Sequence, residues 1–344
     1  MRSAVTVTAY LFERPWAFSV PAWAYFLAIA VDQFASANHG AAAPSDRAPR
    51  FWRVVVYAWI PLHAAVLLCG LHAVTRLPDA PWDVWPAFAA IALGVGTIGG
   101  MFGGVIAHEL MHAPRGSERV IGVGLMSMIT YGHFSIGHVA GHHRWVGTPR
   151  DPASARLGDS LYAFHARALI GGVGLAWRAE AARLRRLEQP LWRPANRLLQ
   201  IFSWQALVYG AIAAAAGARG VLWFAAQSLV GASLLEVMNY VMHYGLRRAR
   251  TPSGRFETVT PRCSWNSGRL ATTYLLCGVG LHSFHHCRPS KPFVALRRPA
   301  AAPQLPAGLF AMFVLALFPP LWRAVMDPLA ALWAPGATTE NRRV

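Results

Sequence analysis

The chain has 344 residues, of which 55% are hydrophobic and 14% are charged. Because a soluble domain contains about 25% charged residues, this composition excludes an ordinary soluble protein and predicts an integral membrane protein. The net charge of +17 comes almost entirely from arginine. No basic domain stands apart from the apolar runs, so the charge indicates arginine-rich loops beside a membrane and not a nucleic-acid-binding surface.

Five apolar runs are expected to cross the membrane, since about 20 helical residues are needed to span it. The first run ends at Asp32 and is expected to be a retained span, because its length, its aromatic content and its weakly basic start do not fit a signal peptide. The third run leads into His108, and the fifth, interrupted by Glu236, delivers His243. The predicted spans are residues 15–31, 54–74, 84–107, 198–218 and 221–245.

Three other apolar stretches are predicted to lie at the interface or to pack on the protein. Residues 120–143 carry no formal charge, but a crossing there would place His108 and His138 on opposite faces of the membrane. The second half of this stretch is also polar, so it is predicted to be an interfacial or re-entrant helix. Residues 270–281 and 307–318 are too short to span.

Nine of the 14 histidines lie in four short segments. Histidines four residues apart share one helix face and can bind one ion together, and both His108/His112 and His138/His142 have this spacing. Neutral imidazole binds iron, zinc, copper and nickel. Nine imidazoles are more than one tetrahedral zinc ion can use, so the sequence predicts a site for two metal ions. The nine predicted ligands are His108, His112, His138, His142, His143, His243, His282, His285 and His286.

The span count places all nine histidines on one side of the membrane, and the charges indicate which side. Residues 113–197 contain twelve arginines against five acidic residues, and residues 247–299 contain ten basic residues against Glu257 alone. The positive-inside rule therefore predicts a cytoplasmic histidine site and an N-terminus outside. The expected location is the cell inner membrane, which the chain crosses several times. The other five histidines are expected to be ordinary polar residues.

Three polar residues near the histidines are predicted to support the site. Glu109 lies one residue past His108, about 100° around the helix, and is expected to have a supporting or structural role. Glu236, Asn239 and His243 lie on one face of the fifth span. Glu236 could orient a ligand histidine, or it could pair with a polar group on a neighbouring helix.

The histidine motifs resemble those of the integral-membrane alkane 1-monooxygenase family, within the wider fatty acid desaturase and hydroxylase group. The resemblance covers nearly the whole chain, and further marks support it, among them Ser264-Trp-Asn-Ser267 and Pro303-Gln-Leu-Pro306. The motifs are His108-Glu-Leu-Met-His112, His138-Val-Ala-Gly-His-His143 followed by Val146-Gly-Thr-Pro-Arg-Asp-Pro-Ala-Ser154, Asn239-Tyr-Val-Met-His-Tyr-Gly245 and His282-Ser-Phe-His-His286.

This resemblance implies an all-α membrane fold of one domain, residues 1–344, with two iron ions bound by the nine histidines. It implies that the protein hydroxylates the terminal carbon of an alkane or alkyl chain with O2 and two electrons. A separate rubredoxin or ferredoxin, with its reductase, would deliver the electrons, and the chain has no Cys-x-x-Cys pair for a fused rubredoxin site. Asp151, just after the second motif, is expected to lie behind the ligands.

The chain departs from the family at positions beside the histidines. Gly137 and Met242 stand where the family has glutamate, and Gly280-Leu281 replaces a Gln-Arg pair. Other functions therefore stay open. A fatty acyl desaturase or an aromatic-methyl hydroxylase would use the same metal site, and a non-catalytic metal-binding membrane protein would need only the ligands. An intramembrane zinc protease also carries His-Glu-x-x-His, but it would leave seven histidines unexplained.

Overall fold

The computed structural model describes residues 27–33, 48–78, 81–299 and 301–336. Residues 15–26, the larger part of the first predicted span, lie outside these ranges, while residues 27–33 are helical. Secondary structure in the described ranges is helical, apart from isolated bridges such as Asn266 with Gln304. The α-helices are α1 (Ala48–Thr75), α2 (Pro81–Thr97), α3 (Gly104–Met111), α4 (Gly116–Ser127), α5 (Phe134–Ile136), α6 (His143–Trp145), α7 (Leu161–Arg186), α8 (Arg197–His243), α9 (Leu270–Leu275), α10 (His282–Cys287), α11 (Leu309–Ala316) and α12 (Pro319–Ala331).

Three helices within the described ranges are long and apolar enough to cross a membrane. They are Phe51–Thr75, Val84–Met111 and Arg197–His243. The second is continuous because a π-helical segment, Ile98–Gly103, joins α2 to α3. These helices cover four of the five predicted spans, the last of them as far as residue 243, and the all-helical membrane fold is confirmed within the described ranges.

Helix α8 consists of two arms that meet at Gly217. This residue has a positive φ of 61°, which glycine adopts without the steric penalty that a side chain imposes. The arms pack side by side: the rings of Tyr209 and Phe224 lie 5.1 Å apart. The hydroxyl of Thr130 contacts both Tyr209 on one arm and Ser228 on the other, at 3.1 and 2.8 Å. The two arms, residues 197–216 and 218–243, therefore correspond to the fourth and fifth predicted spans.

The second membrane helix packs closely on the second arm of α8 through glycines. A Cβ atom added to Gly100 would lie 2.4 Å from the carbonyl oxygen of Gly231, and one added to Gly96 would lie 2.5 Å from the carbonyl of Gln227. Backbone approaches this close require small residues and are typical of helix contacts in membranes. This packing fixes the relative positions of His108 and His243 along the bundle. His108 lies near the end of the second membrane helix, and His243 ends the second arm of α8.

Residues 116–143 enter the helix bundle and turn back within it, so that this segment returns to the end where it began. Helix α4 packs against α3, where a Cβ on Gly122 would meet the carbonyl of Ala107 at 2.9 Å. The chain then reaches Ile129, which lies beside Gly99 near the middle of the second membrane helix. At Thr130, whose φ is 51°, it reverses and returns through α5 to His138. The prediction of a re-entrant segment agrees with this path.

The C-terminal helices close the histidine end of the bundle. Residues of α11, including Phe310 and Phe313, are buried in one core cluster together with Trp322 of α12. Trp322 also packs against Tyr240 of the second arm, with ring centroids 5.0 Å apart. The apolar stretch 307–318 is thus packed on the protein, as its short length predicted.

Replacing Gly100 by alanine should lower the thermal unfolding midpoint of the purified protein in detergent. The new methyl group would clash with the backbone of Gly231, and over-packing of this kind costs about 1–3 kcal/mol. Gly210→Ala is the matched control, because a Cβ there meets nothing within 4 Å and alanine favours the helix. Equal midpoints for the two variants would contradict the close helix contact.

Candidate metal centre

Four segments of the fold bring the nine predicted histidines to one end of the helix bundle. Their rings face one another closely: Nε2 of His108 lies 2.9 Å from Nε2 of His138, and Nε2 of His285 lies 3.2 Å from Nε2 of His143. The segments are the end of α3 (His108, His112), a π-helical segment running into α6 (His138, His142, His143), the end of α8 (His243) and α10 (His282, His285, His286).

The histidines form two adjoining groups, each of which could hold a metal ion. Within each group the ligand nitrogens lie within 4.8 Å of one another. Two nitrogens bound to one ion at about 2.1 Å can be at most about 4.2 Å apart, so a small contraction would bring each group onto an ion. The five-histidine group is His108, His112, His138, His143 and His285, and the four-histidine group is His142, His243, His282 and His286.

The buried nitrogens of these groups fit a bound cation. Nε2 of His112, His142 and His243 is buried without a hydrogen-bond partner. A buried polar atom that lacks a partner is costly, and such atoms are rare in folded proteins. A metal ion would satisfy each of these lone pairs, which supports a metal centre at this position.

The expected pairing of His138 with His142 on one ion is wrong. His138 lies in the five-histidine group and His142 in the other, while His143 joins His138. The reason is local backbone geometry: residues Gly137–His142 form a π-helical turn, and its i→i+5 hydrogen bonds place residues five apart on one face. The expected pairing of His108 with His112, which lie on an α-helix, agrees with the structure.

Two histidines of the four-histidine group are oriented by hydrogen bonds at Nδ1, the ring nitrogen that faces away from the group. Nδ1 of His142 lies 2.7 Å from Oδ2 of Asp151, and Nδ1 of His243 lies 3.0 Å from the carbonyl oxygen of Cys263. Both rings therefore direct Nε2 towards the group, the usual arrangement of a metal-binding histidine. Burial alone would raise the pKa of the Asp151 carboxyl, but His142 and the hydroxyl of Ser154 hold that pKa below its usual value.

The other predicted supporting residues stabilise the scaffold. Glu236 accepts hydrogen bonds from the hydroxyl of Tyr131 at 2.6 Å and from the side-chain amide of Asn239 at 3.2 Å. It therefore ties the returning part of the re-entrant segment to α8, and its partner is a polar group of a neighbouring element and not a ligand histidine. Glu109 accepts a hydrogen bond from the backbone N–H of Phe293 at 3.1 Å, which fixes the loop after α10.

Sequence reasoning missed two contributors to the site. The carbonyl of Cys263 orients His243, and no side-chain pattern can reveal a backbone acceptor. The sequence identifies Asn266 only as part of the Ser264–Ser267 motif, but its Oδ1 accepts hydrogen bonds from the backbone N–H and the hydroxyl of Ser283, at 3.2 and 2.9 Å. Asn266 thereby positions the start of α10, which carries three of the nine histidines.

The two groups differ in accessibility. All four histidines of the four-histidine group are buried, whereas His108, His112 and His143 of the other group are partly exposed. A cavity of about 200 Å³ reaches His112, and its walls include Tyr57, Glu109 and Phe293. The five-histidine group is therefore the one that small molecules can approach through this cavity.

Comparison with known proteins agrees with this geometry. The sequence profile of the fatty acid desaturase family matches residues 82–316. An alkane 1-monooxygenase of Pseudomonas aeruginosa is 38% identical, covering 90% of this chain and 82% of its own. Another from Alcanivorax borkumensis is 34% identical, covering 85% of this chain and 71% of its own. This chain belongs to the membrane alkane 1-monooxygenase family, within the fatty acid desaturase family.

A more distant relative is named for a different substrate. The hydroxylase component of the xylene/toluene monooxygenase of Pseudomonas putida is 30% identical, covering 64% of this chain and 58% of its own.

The positions at which this chain departs from the family motifs have steric reasons. A Cβ on Gly280 would lie 2.4 Å from the carbonyl oxygen of Ser267, and one on Gly137 would lie 3.3 Å from the carbonyl of Gly172. Larger residues at these positions would push neighbouring segments away. Met242 is fully buried and packs in the core. The missing polar side chains are thus replaced by close packing around the histidines.

Replacing His243 by alanine should remove the ion from the four-histidine group. Metal analysis of the purified protein should show bound metal falling to about half, since the five-histidine group keeps all its ligands. His133→Ala is the control: His133 is buried nearby but belongs to neither group. A full complement of metal in His243→Ala would contradict the division into two groups.

Asp151→Asn should weaken metal binding by about 10–100-fold, the usual effect of losing a partner behind a ligand histidine. The readout is metal retained during titration with a chelator. Asp159→Asn provides the comparison, because Asp159 pairs with Arg167 at 2.5 Å and touches no histidine of either group. Identical retention by both variants would show that Asp151 does not support the site.

Proposed function

We propose that the protein is a di-iron membrane monooxygenase that hydroxylates the terminal carbon of an alkane or alkyl chain with O2 and two electrons. The observation that carries this proposal is the convergence of nine histidines into adjoining groups of five and four. Relatives named alkane 1-monooxygenase that cover most of the chain support the reaction class.

The residues of the chain favour metal binding and exclude water. Burial lowers the pKa values of His282, His285 and His286 well below the usual value, and the neighbouring histidines lower them further. These side chains are therefore neutral at physiological pH, the form that coordinates a metal. Iron bound by the histidines would supply the reductive activation of O2, while the surrounding apolar core would keep the reacting C–H bond away from water.

Imidazole alone does not distinguish iron from zinc, copper or nickel. The number of ligands argues against structural zinc, because each zinc ion would use four. The zinc protease hypothesis would also leave seven of the nine histidines without a role. Two iron ions are therefore the metal content we propose, with all nine histidines as ligands.

The electrons are proposed to come from a separate rubredoxin or ferredoxin and its reductase, as the resemblance implies. The proposed location is the inner membrane, with the histidine end facing the cytoplasm, because the arginine-rich loops lie at that end. Residues 1–344 are proposed to form one domain in which the five spans carry the site.

A second candidate reaction is hydroxylation of a methyl group on an aromatic ring. The relative from the xylene/toluene system favours it, at 30% identity. Desaturation of a fatty acyl chain is the third, favoured by the family profile. All three reactions would use the same histidine-held metal, which would supply the oxidising chemistry, so the products distinguish them.

Cells that express the protein with a rubredoxin and its reductase should convert a medium-chain alkane to the 1-alcohol. The test offers alkanes, alkylbenzenes and fatty acids, and identifies the products by mass spectrometry. His112→Ala should abolish conversion, whereas His133→Ala should retain it. Purified protein that contains no iron would overturn the proposal, and iron-loaded protein that is inactive with several donors would favour a non-catalytic metal-binding role.

A further inference from the structure

Two adjoining cavities form a groove along the first arm of α8, on the outside of the re-entrant segment. Its upper part, which is the part beside the histidines, has a volume of about 690 Å³. This part lies between α4, the returning half of the re-entrant segment near Val139, and residues 197–204 of α8. Its lower part, about 340 Å³, lies between α1 and the same arm as far as Ile212. Gly124, Ser127 and Trp204 line both parts, so the two parts join at this point.

The groove is amphipathic along its length. Arg119, Arg197 and Gln200 line the end that lies beside the histidines. The far end is apolar, and apart from Ser127 its lining contains no polar side chain other than the tryptophans. The apolar residues there are Ala64, Leu67, Leu68, Leu71, Met128, Val208, Ile212 and Phe224.

The polar end carries more positive than negative charge. Arg197 and Arg183 share a single carboxylate, that of Glu180, at 2.7 and 2.5 Å. These two arginines hold the pKa of the buried Glu180 at about 2 despite its burial, so the trio keeps a net charge of +1. Within the described residues no carboxylate contacts Arg119, whose Nη1 donates to the carbonyls of Ala113 and Pro114, leaving Nη2 for another partner.

The groove is long enough to hold one lipid chain of the bilayer. Arg197 and Ile212 are fifteen residues apart on one helix, which corresponds to about 22 Å. Half of the hydrocarbon core is about 15 Å thick, so the groove extends from the headgroup level past the end of one leaflet. Each part also has a volume within the range of about 300–1,000 Å³ that is usual for ligand sites.

We propose that this groove binds an anionic phospholipid of the surrounding bilayer. Its phosphate lies at Arg119 and Arg197, and one acyl chain runs past Trp204 towards Ile212. Arginine suits a phosphate because its planar donors match the phosphate oxygens. The lipid covers the outer side of α4 and of the segment that carries Val139, next to His138. Bound lipid therefore holds the re-entrant segment against α8 and stabilises the histidine groups.

The first test blocks the groove where its two parts join. A Cβ at Gly124 meets nothing within 4 Å, so the backbone there accepts a side chain, and Gly124→Leu should fill the passage between the two parts. Gly210→Leu is the matched control, since a Cβ there also meets nothing within 4 Å and Gly210 lines neither part. Native mass spectrometry of protein exchanged into phosphatidylglycerol and phosphatidylcholine should show phosphatidylglycerol retained by Gly210→Leu and lost by Gly124→Leu.

The second test removes the charge at the polar end. Arg119→Gln should weaken phosphatidylglycerol binding by about tenfold, the value of one charge-assisted hydrogen bond. Arg185→Gln, an exposed arginine of α7, serves as control and should leave the affinity unchanged. Phosphatidylglycerol should also raise the unfolding midpoint of the unmodified protein, and inorganic phosphate alone should not.

Four results would overturn the lipid site. Equal retention of the two lipids, or equal retention by Gly124→Leu and Gly210→Leu, would show that the groove is not selective. Stabilisation by inorganic phosphate alone would assign the arginines to a free anion. If Gly124→Leu raised the KM for an alkane without changing lipid retention, the groove would be a substrate path. The binding assays need no catalytic activity, so they are independent of the proposed reaction.

Discussion

The whole structure depends on bringing nine imidazole rings to one buried place. Some ring nitrogens face each other at about 3 Å, and Nε2 of His112, His142 and His243 is buried with a lone pair that the protein alone does not satisfy. A bound cation converts this cost into stabilisation, because metal binding is coupled to the folded arrangement of the ligands. The remainder of the fold can be understood as a frame that holds these rings in position.

The frame uses close backbone contacts where the membrane offers no hydrophobic driving force. Glycines on the second membrane helix meet glycine and carbonyl groups on α8, and this fixes the ends that carry His108 and His243. The re-entrant segment reaches Ile129 and turns at Thr130, which returns the chain to the same end. A buried hydrogen bond from the hydroxyl of Tyr131 to Glu236 attaches the returning half of the re-entrant segment to α8.

Much of the architecture follows from simple features of the sequence. Run lengths predict the helices, and the need to bring His108 and His138 together excludes a crossing by residues 120–143. The spacing of His108 and His112 predicts their shared group because that segment is an ordinary α-helix. The same rule fails for His138 and His142, because a π-helical turn changes which residues share a face, and no residue type marks such a turn. The carbonyl of Cys263 is equally invisible, since its identity depends on the path of the backbone.

The neighbouring residues His142 and His143 belong to different groups, and this has a consequence for how the metal centre assembles. Consecutive Cα atoms are about 3.8 Å apart and are joined by a rigid peptide unit. A shift that adapts one ring to its ion therefore moves the backbone of the other. Occupation of the first position would orient a ligand for the second, so filling one group would favour filling the other, although each group keeps its own full set of ligands.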